Sequence, residues 1–265
     1  MRMFLRWLTR LGLTQKAVLI FLPLVILPFL LIGIAAYHQI TTIVTEQFVE
    51  TTMRNMESVV NQLEEQTATV KDIADYLLIH PSLSELLRPD ADFDYRQEER
   101  LRQHVINLLT FHQFTKPYIR SISIYGYNGK TIEMGEPIFA DETKWIEEAV
   151  QRRGAAIWTE SYTALSGWGR EAHLLSLIRL LRSITDGIQP KGELVIRLDA
   201  QYFMSQLKQA LYKDSGHIFV FGSDGDLVLR SDNSFSLALD ELAAAWTWRQ
   251  SGFREYKWDG TNYLA

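Results

Sequence analysis

The 265-residue sequence has no cysteine, so disulfide frameworks and thiolate metal sites are excluded. It has no Lys, Arg, Asp or Glu from residue 17 to residue 45, and no acidic residue among residues 1–16, which carry four basic ones. The whole chain nevertheless has a formal net charge of −5, so its charge beyond residue 45 is acidic. An acidic body offers no electrostatic footprint for nucleic acid, and that class of partner is excluded.

The sequence motifs of catalysis are missing as well. The six histidines are dispersed, and His104 and His112 are eight residues apart on a predicted helix, not the four that pair two metal ligands on one face. There is no Walker motif, no Gly-rich dinucleotide loop and no nucleophile elbow. We therefore expect a segment that is not an enzyme, with no catalytic residue, no metal site and no cofactor.

The beginning of the chain predicts a membrane anchor. The uncharged run Ala17–Tyr37 has 21 residues, close to the roughly 20 that an α-helix needs to cross a bilayer. The alternative, a cleaved signal peptide, has a shorter apolar run of about 7–15 residues and a cleavage site of small residues, whereas Tyr37 and His38 are bulky. The basic residues predict that 1–16 is a cytoplasmic stub and that 38–265 lies outside the cell membrane.

Residues 38–80 predict one long extracellular helix. This stretch has no proline or glycine, and its apolar residues recur at helical spacing. Four of them are seven residues apart: Met56, Leu63, Val70 and Leu77. Such a stripe packs either on the helix's own domain or on the same helix of a second chain. We expect both uses, and hence a homodimer. Pro81 ends the helix, because the residue before a proline avoids the α conformation.

An internal repeat predicts the organisation of the rest. Residues 123–132 resemble residues 219–228, and each segment predicts a strand, a turn with Asn-Gly or Asp-Gly, and a second strand. An amphipathic helix precedes each hairpin, at Gln97–Phe114 and at Ala200–Leu211. A repeated helix-and-hairpin unit predicts two related modules in tandem, whereas chance similarity of two hairpins would not repeat the helices.

The predicted fold class is therefore α+β: a transmembrane helix over 17–37, the long helix, and two PAS-like modules. The first module is expected over 81–198, and the second over 199–265, where it is incomplete, so we expect the sequence to be part of a longer protein. The other predicted elements are, in chain order, a helix near Glu142–Arg152, a short strand around Ala155–Glu160, a polar aromatic loop over Ser161–Glu171, a strand His173–Ser183 that pairs with Gly192–Leu198, and a hairpin of Gly252–Lys257 with Thr261–Leu264.

These features resemble a known family. Leu13-Thr14-Gln15-Lys16, the apolar run and the Glu- and Gln-bearing helix after it are similar to the amino-terminal region of membrane sensor histidine kinases, in the class paired with AraC-type response regulators. The strand-bearing segments 119–134, 192–199 and 217–230 stand where that family has its strands. The resemblance implies a double Cache region, in which the first module is distal to the membrane and the second is near it. A second membrane helix, a HAMP linker and a kinase core follow in that family.

The resemblance also implies a ligand pocket in the distal module, on the concave face of its sheet. Such pockets need aromatic walls and a few polar groups. The candidate ligand-binding residues are Tyr125, Tyr127, Trp158, Tyr162, Trp168, Arg179 and Arg182. The two arginines interrupt an apolar strand, where an unpaired cation would be costly and an anionic or polyhydroxylated ligand would offset the cost. Trp158 and Arg179 are the favoured pair. The alternative for each residue alone is an aromatic in the core or an arginine in solvent.

The expected function is the sensing of a small molecule and the transmission of that signal through the long helix, whose arrangement the ligand would bias. Amino-acid-binding double Cache domains are expected to show an Arg-x-Trp-Tyr run, but this sequence has Ile157–Tyr162 instead, which disfavours an amino acid. The class resembled often governs carbohydrate uptake, so a sugar is expected by association. An extracellular solute-binding protein is the other expected partner. The alternatives are a chemoreceptor, a cyclic-nucleotide enzyme, a membrane-bound AraC-type regulator, or an anchored structural or adhesion module.

Overall fold

The computed structural model describes residues 13–89, 93–152, 154–182, 189–210, 218–221, 227–230, 255–258 and 261–264. The chain divides into two compact units, one up to Ser58 and the other from Val59 onward. The first unit is helical. The second holds the end of the first helix together with the sheet and the remaining helices.

The first helix, α1, runs Leu13–Ile79. Its segment Leu24–Thr41 has 18 residues with a mean hydropathy of 1.8 and is long and apolar enough to cross a membrane. The helix ends directly before His80-Pro81, as predicted, and Pro81 begins the short helix α2, Pro81–Leu86. Proline suits the start of a helix because the amide hydrogen that it lacks has no partner there.

The remaining helices are α3, Tyr95–Thr115; α4, Thr143–Gln151; and α5, Ala200–Ala210. The strands are β1, Ile119–Gly126; β2, Thr131–Gly135; β3, Ile138–Phe139; β4, Ile157–Trp158; β5, Tyr162–Ser166; β6, Glu171–Arg182; β7, Pro190–Asp199; β8, Phe219–Phe221; β9, Leu227–Arg230; β10, Glu255–Trp258; and β11, Thr261–Leu264. Helices and antiparallel strands in this arrangement confirm the predicted α+β class.

Seven strands form one antiparallel sheet in the order β2-β1-β7-β6-β5-β3, and β4 pairs with β6 on the same edge as β5. The predicted pairing of the two long strands is confirmed, with Ile178 opposite Val195. The predicted first hairpin is confirmed as β1 and β2, whose turn contains Gly129 at a φ of 81°. Positive φ is costly for residues other than glycine, which explains the Asn-Gly sequence.

The loop predicted over Ser161–Glu171 is wrong. Tyr162–Ser166 forms β5, which pairs with the start of β6 around a turn at Gly167–Arg170. In β5 the small residues Ala164 and Ser166 are buried, whereas the larger apolar residue Leu165 is exposed. The period-2 signal of a strand is therefore weak in the sequence.

The two faces of the sheet differ. On one, here called the helix face, alternate residues of β7 such as Leu194 and Ile196 pack with α1, α2 and α3 into the main core. On the opposite face, here called the front face, Val195 and Ile178 pack with Ala149 of α4. The front face is only partly covered.

The second helix-and-hairpin unit is present as α5, β8 and β9. Phe203 of α5 and Leu229 of β9 belong to the main core of the sheet. The strands predicted for the third hairpin are confirmed as β10 and β11. Leu211, the turn at 222–226 and the segment Gly252–Arg254 lie outside the described residues. The proposed boundary between the two modules, at 198/199, stays a prediction.

Candidate ligand-binding site

A cavity of about 590 Å³ opens on the front face and is here called the front pocket. Strands β1, β2 and β7, the segment Pro137–Thr143 that contains β3, and the first turns of α4 surround it. Its lining residues are Tyr125, Glu133, Pro137, Ile138, Phe139, Ala140, Asp141, Glu142, Thr143, Ile146 and Arg197. This mixture of aromatic and apolar walls with a few polar groups is the usual composition of a small-molecule site.

A buried ion pair forms the base of the front pocket. Arg197 projects from β7 to the front face, where its Nε donates to Oε1 of Glu142 at 2.8 Å and its Nη2 to Oε2 at 2.6 Å. Both side chains are only 4% exposed. Burial alone lowers the pKa of Arg197, but its hydrogen bonds to Glu142 and the charge of Glu142 raise this pKa above its ordinary value. The guanidinium is therefore charged, and its charge is paired within the chain.

Hydroxyl groups complete this network. Nη1 of Arg197 donates to the Oγ of Ser123 at 2.7 Å and to that of Ser121 at 3.4 Å. Tyr162 of β5 donates its phenolic hydrogen to Glu142, and its oxygen lies 2.7 Å from the Oγ of Ser176. Burial first, and then the charge of Glu142 and its hydrogen bond, raise the pKa of Tyr162. A hydrogen-bonded phenol of this kind holds the carboxylate of Glu142 in place.

Two further carboxylates lie at the mouth of the front pocket. Glu133 of β2 is exposed and accepts a hydrogen bond of 3.1 Å from the hydroxyl of Tyr125. Asp141 is also exposed and accepts one of 3.2 Å from the backbone N–H of Thr143. Hydrogen bonds from Thr143 lower the pKa of Asp141. Asp141 is therefore anionic at neutral pH.

Tyr127 provides a pH test of this face. Its hydroxyl donates to Glu193 at 2.9 Å, and partial burial followed by that hydrogen bond and charge raises the pKa of Tyr127 to about 12. Because the folded pKa exceeds the ordinary value of about 10, the stabilisation from this contact is complete below pH 10 and is lost between pH 10 and 12. In an ultraviolet titration, the tyrosinate absorbance of Tyr127→Phe is subtracted from that of the wild type. The resulting curve is expected to have its midpoint near pH 12. A midpoint near pH 10 would contradict the contact.

The structure brings some of the sequence-predicted site residues together and separates others. Tyr125 lines the front pocket, and Tyr162 donates to Glu142 at its base. Tyr127 is not among the lining residues and donates instead to Glu193. Trp158 instead packs against the main core, because its position opposite Leu177 turns it to the helix face. Trp168 lies in the turn between β5 and β6 and is 76% exposed.

The two predicted arginines of β6 do not share a site. Arg179 lies on the helix face, where its Nη1 donates to Oδ1 of Asp75 in α1. Arg182 lies beside Gly154. A Cβ atom added to Gly154 would lie 3.2 Å from the Nε of Arg182. Arg179 is therefore not an unpaired cation, because Asp75 supplies the opposite charge, and its contact with a ligand stays a prediction.

Sequence reasoning missed the residues that form the base of the pocket: Glu142, Arg197, Ser121, Ser123 and Ser176. One signal was available. Arg197 interrupts the apolar strand Leu194-Val195-Ile196-Arg197-Leu198 in the same way that Arg179 interrupts β6. An arginine in a buried strand predicts a buried acid, but not which acid, because Glu142 is 55 residues away.

A second cavity of about 590 Å³ lies between β5, β6, α5 and β9. Its lining includes His173, Lys208 and Arg230. Tyr162, which donates to Glu142, also lines this second cavity. We place the candidate site in the front pocket because both members of the buried ion pair, Arg197 and Glu142, line it, whereas neither lines the second cavity. No group of three or more His, Asp or Glu residues suited to a metal ion occurs in the part of the chain that the structure describes.

No protein-family model matches this chain, and no curated protein matches its sequence. Solved structures do match its fold. The ligand-binding domain of the Campylobacter jejuni chemoreceptor Tlp3 in complex with L-norvaline is 14% identical, with a TM-score of 0.52 over 83% of this chain and 85% of that one. The extracellular domain of vpHK1S-Z8, assigned as a histidine kinase, is 12% identical, with a TM-score of 0.53 over 83% and 93%. The ligand-binding domain of Mlp24 with asparagine is 14% identical, with a TM-score of 0.51 over 86% and 87%.

These neighbours are Cache-type sensory domains, and the fold that the resemblance implied is thereby confirmed. At identities of this size the likeness concerns the fold. The ligands in the neighbours' names belong to those proteins.

Proposed function

We propose that this chain is the membrane-anchored sensor region of a membrane receptor, extracytoplasmic from residue 38 onward, and that the front pocket is its ligand site. The observation that carries the proposal is the front pocket itself: a cavity of about 590 Å³ whose base is a buried ion pair in a sheet of the sensory-domain type. Buried polar side chains that converge on a cavity are typical of a binding site and are unusual on a merely structural face.

The proposed arrangement has 1–16 in the cytoplasm, 17–37 in the membrane and 38–265 outside. The apolar segment of α1 and the basic residues before it support this topology. The chain would act as a homodimer through α1, which leaves Val60, Tyr76 and Ile79 exposed. A ligand that binds the two arrangements of such a dimer with different affinity would shift their equilibrium.

The proposed whole protein is a sensor histidine kinase of the class paired with AraC-type response regulators, and a chemoreceptor is the second candidate. A histidine kinase and chemoreceptors both occur among the structural neighbours, so the fold is compatible with either output. The AraC-paired class is proposed from the sequence resemblance alone. The modules 81–198 and 199–265 would be membrane-distal and membrane-proximal. A sugar remains the ligand proposed by association, and a solute-binding protein the alternative partner.

Within this proposal, ligand contact belongs to Tyr125, with Phe139 and Ile146 as walls. Tyr162 and Tyr127 would hold acidic partners in position. Trp158, Trp168, Arg179 and Arg182 lie outside the proposed site.

A ligand screen with a pocket-filling variant tests this proposal. The melting temperature of the full chain in detergent would be measured against sugars, amines, amino acids and organic acids. A true ligand is expected to raise it in the wild type but not in Ala140→Trp, which fills the pocket. Ala68→Trp makes the same change on an exposed turn of α1 and should respond as the wild type does. If every active compound also stabilises Ala140→Trp, the site lies elsewhere. If no compound acts at all, the structural or adhesion alternative is favoured.

A further inference from the structure

Among the described residues, the one cation that lines the front pocket is occupied from within the chain. Arg197 gives Nε and Nη2 to the two oxygens of Glu142, and Nη1 to Ser123 and Ser121. A guanidinium binds a carboxylate best through this two-point geometry. The carboxylate of Glu142 therefore takes the position that the carboxylate of a ligand would need.

An incoming carboxylate would have to displace Glu142. Glu142 would then lose its cation while it stays buried, because it is the N-cap residue of α4 and its side chain is enclosed by β5 and β7. Burying an unpaired carboxylate is strongly unfavourable. The exchange thus pairs Arg197 with the carboxylate of the ligand but leaves Glu142 buried and unpaired.

The remaining charges of the front pocket also oppose an anion. Glu133 and Asp141 are exposed at its mouth, and neither has a basic side chain within salt-bridge distance among the described residues. With Arg197 neutralised by Glu142, the charge that faces an entering molecule is negative. A negative mouth repels anions and attracts cations, and the ring of Tyr125 beside Glu133 suits a cation as well.

We infer that the front pocket selects its ligand by charge: it excludes molecules that carry a free carboxylate and accepts neutral or cationic small molecules. This inference rests on the proposed function and narrows its ligand class. The front pocket is therefore expected to exclude free amino acids and organic acids, since both carry a free carboxylate. Glu142 is in this view an internal occupant of the anion site, held there by Tyr162.

Chemical rescue with acetate tests the inference on the full chain in detergent. Glu142→Ala removes the internal carboxylate and leaves a space beside Arg197, and its melting temperature is expected to fall by on the order of 10 °C. Sodium acetate, compared with sodium chloride at equal ionic strength, is expected to restore part of that loss in a saturable way. The wild type is expected to show no acetate-specific shift, because Glu142 already fills the site. Glu142→Gln leaves no room for acetate and should not respond either.

Three results would overturn the inference, two of them seen in the wild type. One is a saturable acetate shift in the wild type, and the other is a carboxylate-bearing ligand that stabilises the wild type but not Ala140→Trp. Glu142→Ala can fail to show a folding transition without acetate. In that case, a transition that appears with acetate and not with chloride supports the inference, and a saturable acetate shift in the wild type still contradicts it. A folded Glu142→Ala that ignores acetate also contradicts it. Failure of the proposed function is a separate result, since it requires that no compound of the screen binds the wild type, whereas the rescue needs no natural ligand.

Discussion

Arg197→Met is expected to lower the free energy of unfolding by about 3–5 kcal/mol. The change keeps the volume of the side chain but removes the cation from Glu142, which is only 4% exposed and would be left as an unpaired buried acid. Ser121 and Ser123 would also lose the donor that they share. Urea denaturation followed by circular dichroism measures the loss.

The double variant Arg197→Met/Glu142→Leu is the matched control. Replacing a whole buried pair with apolar side chains is often close to neutral, so the double variant is expected to recover most of the stability that the single one loses. If Arg197→Met costs less than about 1 kcal/mol, the pair behaves as a surface ion pair. In that case the base of the pocket is not sealed, and the argument on ligand charge fails with it.

Phe203→Ala is expected to cost about 3–5 kcal/mol of stability. Phe203 is 1% exposed and packs its ring 5.7 Å from that of Tyr118, which leads into β1. It belongs to α5, the helix that begins the second repeat, yet it lies in the main core with the strands of the first. The loss should therefore appear in the cooperative unfolding of the whole sheet, measured by urea denaturation.

Phe114→Ala makes the same substitution at a position that is 84% exposed. Its expected effect is within about 0.5 kcal/mol, as for most surface positions. If Phe203→Ala has an equally small effect, α5 is not part of the main core. If it gives two separate transitions, the two repeats unfold as independent domains.

The fold could be predicted from the sequence where local signals are strong. The helix of the uncharged run, its end before Pro81 and the Asn128-Gly129 turn each follow from neighbouring residues, and all three are confirmed. The strand β5 was missed because its buried positions hold Ala164 and Ser166 while Leu165 faces outward. Hydrophobic alternation cannot identify a strand whose larger side chain is exposed.

The candidate site was less predictable because its residues come from distant parts of the chain. The sequence shows Arg179 as a lone cation in an apolar strand, but Asp75, 104 residues earlier, lies beside it on the helix face. Arg197 finds Glu142 at the start of α4 in the same way. Sequence can indicate that a buried arginine needs an acid, but only the register of β6 and β7 determines which face, and therefore which acid, each arginine meets.

Hydrogen exchange with and without a stabilising ligand from the screen tests most directly that the front pocket is the sensing site. The account predicts slower exchange at Pro137–Ile146 and in β1, β2 and β7, the elements that line the front pocket. The residues around the second cavity, in α5 and β9, are expected to change little. Protection concentrated in α5 and β9, with none at Pro137–Ile146, would contradict the account and place the ligand at the junction of the two repeats.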